Sequence, residues 1–192
     1  MPFISLLEQT PEYVSAIGMI SIENANMEAS IADLFSAIIG LRVPVGRAIY
    51  LTPKSAIARI EIFEAAVKSH LKFRAFNGNV DHQKKMANAL AKSLHIASRA
   101  RSAVGKRHGI IHDQWGLDEK TREVIRKSLP TPTKADGGVP LPELKSLIQS
   151  MRSITTDAIG LTVEFIEHQP HMDDLALRKP RRDKKPPQTP RT

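Results

Sequence analysis

The densest group of reactive side chains in this chain is the run Lys106-Arg107-His108-Gly109-Ile110-Ile111-His112-Asp113-Gln114-Trp115. His108 and His112 are four residues apart, about 40° around an α-helix, so both imidazoles can face one cation. A helical zinc-protease site places a glutamate directly after its first histidine. Gly109 stands there instead, and no third ligand accompanies the pair, so no metal site is expected. Arg107 and His112 are five residues apart, about 140° around a regular helix, though a long arginine at a frayed helix end can wrap toward the same space. These two residue types suit phosphate chemistry without metal. Arginine offers a planar, permanently charged fork, and histidine exchanges protons near neutral pH. Ile110 and Ile111 would anchor the segment in a core. A purely structural role competes with this, because histidines near a helix end satisfy terminal carbonyls and complement the helix dipole. Trp115, the sole tryptophan, is expected to cap the same end of the domain, with base stacking as the alternative.

The net charge of +8 is unevenly placed. Residues 1–67 carry −3 and residues 108–177 carry −4, whereas residues 68–107 carry +9, with ten cations against Asp81 alone. Lys84, Lys85, Lys92, Arg99, Arg101 and Lys106 belong to this block, directly upstream of the Arg/His run, and are the candidate contacts for RNA or phosphate, with an ordinary solvated helix face as the alternative. A single-sign block inside a folded region suits an anionic partner bound at a defined place. A second block of +6 lies in residues 178–192. That segment is rich in proline and nearly devoid of aliphatic residues, so residues 171–192 are expected to form a disordered basic tail. With no cysteine, disulfides, thiolate metal sites and a cysteine nucleophile are excluded. Gly105-Lys106 lacks the other residues of a phosphate-binding glycine loop, and no cofactor is expected. No apolar run reaches the roughly 18 residues of a membrane span, and the first residues lack a basic secretory leader. The expectation is a cytoplasmic protein.

The elements that must position the Arg/His run read as helices. Pro11 to Gly40 shows one long apolar stripe (Val14, Ile17, Met27, Ile31, Leu34, Phe35, Ile38) stopped by Gly40, with a break allowed near Ser21–Asn26. Leu41–Leu51, with Pro44 and Gly46, reads as a linker. A second helix is expected from Thr52-Pro53 to about Phe73, followed by a turn at Asn77-Gly78-Asn79. The third spans about Asp81 to Trp115-Gly116 and carries the Arg/His run at its end. Residues 116–141 read as an irregular insertion, with a weak hairpin signal around Glu123–Ser128. In the last helix, Leu144, Leu147, Met151, Ile154, Ala158, Leu161 and Phe165 alternate three- and four-residue steps. The predicted architecture is an all-α, up-and-down bundle of four main helices over residues 1–170, with a short N-terminal helix at Phe3–Gln9.

An arginine, a polar residue and then a histidine at the end of the third helix of a small α-bundle resembles the HEPN superfamily (higher eukaryotes and prokaryotes nucleotide-binding domain). The resemblance covers about residues 11–168 and leaves the tail outside it. It implies metal-independent RNA cleavage, in which the ribose 2′-hydroxyl attacks the adjacent phosphorus. The products are a 2′,3′-cyclic phosphate and a 5′-hydroxyl. Carried onto this chain, it makes His112 a general base or acid, Arg107 the stabiliser of phosphate charge, and His108 the occupant of the polar slot. Family members often place Asn or Asp in that slot. The resemblance also implies a homodimer with its two-fold axis near Arg107 and His112, and, for toxin-like members, a separate inhibitory protein. Other members are catalytically silent modules that bind RNA, a nucleotide or a protein partner.

Overall fold

The computed structural model describes residues 10–73, 80–112, 114–117, 124–127 and 140–168. Its elements are α1 (Pro11–Ile39), α2 (Val43–Leu51), α3 (Ala56–Phe73), α4 (Val80–His112), β1 (Gln114–Leu117), β2 (Val124–Lys127) and α5 (Leu141–His168). The architecture is an all-α helical bundle, to which the two short strands add one antiparallel hairpin. The expected Phe3–Gln9 helix, the Asn77–Asn79 turn, the basic tail and most of the 116–141 insertion lie outside the described residues.

α1 runs unbroken through the Ser21–Asn26 region where a break was allowed. Ile20, Met27, Ile31, Leu34, Phe35 and Ile38 are buried along it, while Val14 and Ile17 are half-buried near its start. It ends as the sequence indicates. Gly40 takes a left-handed conformation (φ 69°), its N–H bonds the Ala37 carbonyl, and the Leu41 N–H bonds the Ser36 carbonyl. That paired closure satisfies two terminal carbonyls and needs the freedom of glycine.

The segment read as a linker is instead the nine-residue helix α2, bent 116° from α1. Two residues that suggest a loop both serve it. Pro44 sits in its first turn, where the missing N–H costs nothing. Gly46 lets α2 lie directly on α1: a methyl there would approach Ser36 Cα to 2.8 Å and its side chain more closely still. The Thr52 hydroxyl bonds the Ala48 carbonyl at 2.9 Å and closes α2. α3 therefore begins at Ala56 rather than at Thr52, with Ser55 Oγ accepting the Ala58 N–H at 3.1 Å as its N-terminal cap.

α4 ends at His112, three residues before the expected stop. The Trp115 indole N–H donates to the Ile110 carbonyl at 2.7 Å, satisfying one of the last open acceptors of α4 while the chain turns into β1. β1 pairs antiparallel with β2 from Gln114↔Lys127 to Leu117↔Val124. The hairpin signal thus fell on the second strand, and its partner lay in what read as the end of a helix. The seam of α5 is buried as expected at Leu144, Leu147, Met151, Ile154, Ala158, Leu161 and Phe165.

Helix directions follow from the polar links. The Leu141 N–H donates to Tyr13 Oη at 3.2 Å, and Arg152 Nε donates to Glu23 at 2.8 Å, so α5 runs parallel to α1. Arg99 to Asp157 and Lys92 to Glu164 show α4 antiparallel to α5. α2 supplies the additional reversal that lets the first and last helices run the same way. The C-terminus of α4 consequently shares one end of the bundle with the N-termini of α1 and α5.

Glu23 is buried on α1, and the Arg152 hydrogen bond holds its carboxyl below the ordinary value of 4.5. The unfolded chain binds this proton more tightly. The stabilisation is therefore present above 4.5 and is lost as pH falls through the lowered value. Arg152→Ala should cost about 1 kcal/mol at neutral pH, given that the arginine is half-exposed, and should flatten the acid limb of the stability curve. Denaturant melts across that range check both. Gly46→Ala should cost about 1–3 kcal/mol through overpacking against Ser36. Gly18→Ala, with open space around the added methyl, should instead gain about 0.5–1 kcal/mol.

Candidate functional site

The core-facing stripe of α4 runs Met86, Ala89, Leu90, Ser93, Ile96, Ala97, Ala100, Ala103, Val104 and then Ile110. Helical periodicity requires an inward residue between Val104 and Ile110, and Arg107 occupies that place. Its side chain is half-buried, and its Nε is buried with no hydrogen-bond partner. Five other arginines have acidic partners: Arg47 with Asp33, Arg59 with Glu28, Arg99 with Asp157, Arg101 with Glu61 and Glu64, and Arg152 with Glu23. Among the described residues, Arg107 is the partly buried arginine left without an acceptor. The buried and half-buried carboxylates of α1, Glu23, Glu28 and Asp33, are all engaged with other arginines.

His108 and His112 are exposed on an adjoining face of α4. Their rings are in contact, with centroids 4.5 Å apart and planes inclined at 52°. The structure therefore brings the two imidazoles together. It does not bend α4 to bring Arg107 onto them: the helix stays regular to His112, so Arg107 and His112 leave its axis about 140° apart. No group of three or more His, Asp or Glu able to hold a metal occurs among the described residues.

The +9 block is divided by its ion pairs. Lys92 reaches Glu164 at 3.8 Å, and Arg99 donates to Ser153 Oγ at 2.8 Å as well as pairing with Asp157, all on α5. Arg101 turns the other way, to Glu64 (3.1 Å) and Glu61 (3.5 Å) of α3. These three cations join helices and are partly neutralised. Lys84, Lys85 and Lys106 are exposed and lack an acidic partner among the described residues. Lys84 and Lys85 lie roughly 30 Å along the helix from Lys106 at 1.5 Å per residue. The free positive charge beside the histidines is thus Lys106 and Arg107.

Lys106 also lines a cavity of about 160 Å³ between α4 and α5, with Ser102, Ser146, Ser150 and Glu143. The Glu143 carboxylate makes this cavity a poorer anion site than the Arg107 side. The C-terminus of α4 carries negative helix-dipole potential, which the nearby N-termini of α1 and α5 oppose. Chemically, this end of the bundle offers an uncommitted guanidinium, a free ammonium and two contacting imidazoles, residue types suited to holding a phosphate and exchanging protons. Sequence reasoning found these residues by type. It missed that Arg107 takes an inward-facing, half-buried position, although the spacing of Ala100, Val104 and Ile111 already indicated it. Trp115 is half-buried with its indole N–H bonded to Ile110, in keeping with the capping role expected of it.

No protein-family model, no curated protein and no solved structure matches this chain.

Replacing Arg107 by methionine should raise the unfolding free energy by about 1 kcal/mol, because it removes a buried, unsatisfied donor from an otherwise apolar stripe. Chemical denaturation of Arg107→Met against wild type measures this. A gain in stability there would mark a residue kept at a cost to the fold.

Proposed function

We propose that the His112 end of α4 binds RNA phosphates and cleaves the chain without metal. The observation that carries this reading is the Arg107 guanidinium, half-buried and without an acceptor, at the same helix end as two exposed imidazoles in mutual contact. Leaving such a group unsatisfied costs stability, and an incoming phosphate oxygen supplies the missing acceptor.

In this reading the ribose 2′-oxygen attacks the adjacent phosphorus, the 2′-O–P bond forms and the P–O5′ bond breaks. One imidazole takes the 2′-hydroxyl proton, and a second proton goes to the departing 5′-oxygen. Arg107 neutralises charge on the non-bridging oxygens as it builds. His108, its ring in tilted contact with that of His112, fixes the ring that transfers the proton. In-line displacement places the attacking and leaving oxygens on opposite sides of phosphorus. Two rings 4.5 Å apart stand on one side, so the other proton is handled by His112 of a second copy facing across the RNA. Two such ends, each with unpaired Lys106 and Arg107, repel one another until a polyanion lies between them. The resemblance to HEPN nucleases agrees with this arrangement.

A second reading, an RNA- or nucleotide-binding module without catalysis, is favoured by the divergence of about 140° between Arg107 and His112 around a regular helix. One experiment separates the two: incubation of a mixed RNA pool in excess EDTA with wild type, His112→Ala and Arg107→Ala. Cleavage by wild type alone, leaving 2′,3′-cyclic phosphate ends and absent when the scissile ribose is 2′-deoxy, is the expected result. His112→Ala should lower the rate at least 100-fold. RNA retention by wild type that weakens in Arg107→Ala, with no cleavage by any of the three, would leave the binding module.

A further inference from the structure

Eleven large hydrophobic side chains are exposed among the described residues, and eight of them lie on Leu41–Leu51 or the last third of α5. Scattered exposed apolar residues are ordinary, but stripes are not. Leu41, Val45 and Ile49 follow at steps of four and are 37%, 50% and 44% exposed. Ile159, Val163 and Ile166 follow at steps of four and three and are 53%, 50% and 59% exposed. Val45 and Ile49 therefore line one face of α2, with Leu41 just ahead of its first residue, and Ile159, Val163 and Ile166 line one face of α5.

The polar links place the two stripes side by side. Arg47 of α2 bonds Asp33 of α1, with Nη2 donating at 2.7 Å, and Arg152 of α5 bonds Glu23. Ten residues separate Asp33 from Glu23, about 80° short of three full turns, so both arginines arrive on one flank of α1. In the parallel register of α1 and α5, residue 33 lies level with about residue 162. α2 and the Ile159–Ile166 stripe thus stand at the same height, at the end of the bundle remote from His112. They do not pack on each other within one chain.

Their charges are complementary. Residues 41–55 contain Arg42, Arg47 and Lys54 and no acid, whereas residues 155–167 contain Asp157, Glu164 and Glu167 and no base. Arg47, Asp157 and Glu164 are already paired inside the chain. Arg42, Lys54 and Glu167 have no ion-pair partner among the described residues and remain for pairing across an interface.

We propose that two copies of this chain dimerise through this surface, each α2 seated on the partner's α5. Bringing α2 of one copy onto α5 of another by a two-fold rotation makes the reciprocal contact at once, so the assembly closes at two. The six stripe residues expose on the order of 500 Å² per copy, most of the roughly 800 Å² per partner that a standard interface buries. Opposite charge at the rim sets the register and excludes α2-on-α2 pairing. This two-fold lies away from Arg107 and His112, so it leaves both RNA-binding ends open and is independent of any activity there.

The test is the molar mass of the full chain by light scattering and sedimentation at tens of micromolar, without RNA. Wild type should run at twice the monomer mass. Val163→Glu with Ile166→Glu should run as a monomer with an unchanged helical circular dichroism spectrum, since both positions are solvent-facing. Arg42→Glu and Glu167→Lys should each weaken the dimer at least fivefold, and the double swap should restore it. A monomeric wild type would overturn the proposal, as would a dimer indifferent to the α5 changes or one lost only on substitution of Arg107 and His112. A monomer that binds anionic vesicles through the Leu41–Leu51 stripe would overturn it in favour of a lipid surface.

Discussion

The structure depends on the burial of α1, a helix that carries carboxylates where it faces its neighbours. Glu23 is buried and Glu28 is half-buried, and a charge taken out of water needs a partner of the opposite sign. Arg152 of α5 and Arg59 of α3 supply those partners, and Arg47 of α2 does the same for Asp33. Apolar packing alone would tolerate a one-turn slip of α5 along α1. A slip here would strand Glu23, so the ion pair fixes the register that hydrophobic contact leaves loose. Three helices are thereby indexed to one, and the ends of α1, α4 and α5 meet at a defined place.

At that place the logic of the core is suspended for one residue. Every inward position of α4 up to Val104 is apolar or a serine bonded to its own helix: the Ser93 hydroxyl donates to the Ala89 carbonyl at 2.9 Å. The next inward position is Arg107, and nothing on α1 answers it. A chain that pairs Glu23, Glu28 and Asp33 with arginines and leaves the Arg107 guanidinium without an acceptor departs from its own pattern, and such departures concentrate at functional sites. Two exposed imidazoles and Lys106, which has no acidic partner among the described residues, lie at the same helix end.

The surface divides the same way. Where α4 meets α3 and α5, its cations are spent on interhelical pairs, each a modest contribution at the protein surface. Where α4 projects to its C-terminus they are free. At the opposite end, the apolar residues of α2 and α5 stay uncovered. Among the described residues, one end of the bundle thus carries the unpaired Lys106 and Arg107, and the other the exposed apolar residues of α2 and α5.

The helices of this chain are legible because their apolar residues recur at helical spacing. The α5 seam from Leu144 to Phe165 and the Gly40 stop needed no tertiary information. The candidate residues Arg107, His108 and His112 were likewise visible from type and spacing. Other features were not. α2 hid behind Pro44 and Gly46, which signal a loop unless the first turn of a helix and a close approach to Ser36 are already in place. The first strand of the hairpin hid because four residues carry too little alternation to outweigh a helical pattern running into Trp115. Sequence also counted ten cations in residues 68–107 as one block. The fold showed that Arg99 and Arg101 are bound to opposite neighbours, because residues two apart on a helix point about 160° away from each other. Composition and periodicity determine which segments become helices and which residues carry charge. Which charges stay free is a property of pairs distant in sequence, and only the packing of the helices against one another, α4 against α3 and α5 above all, decides it.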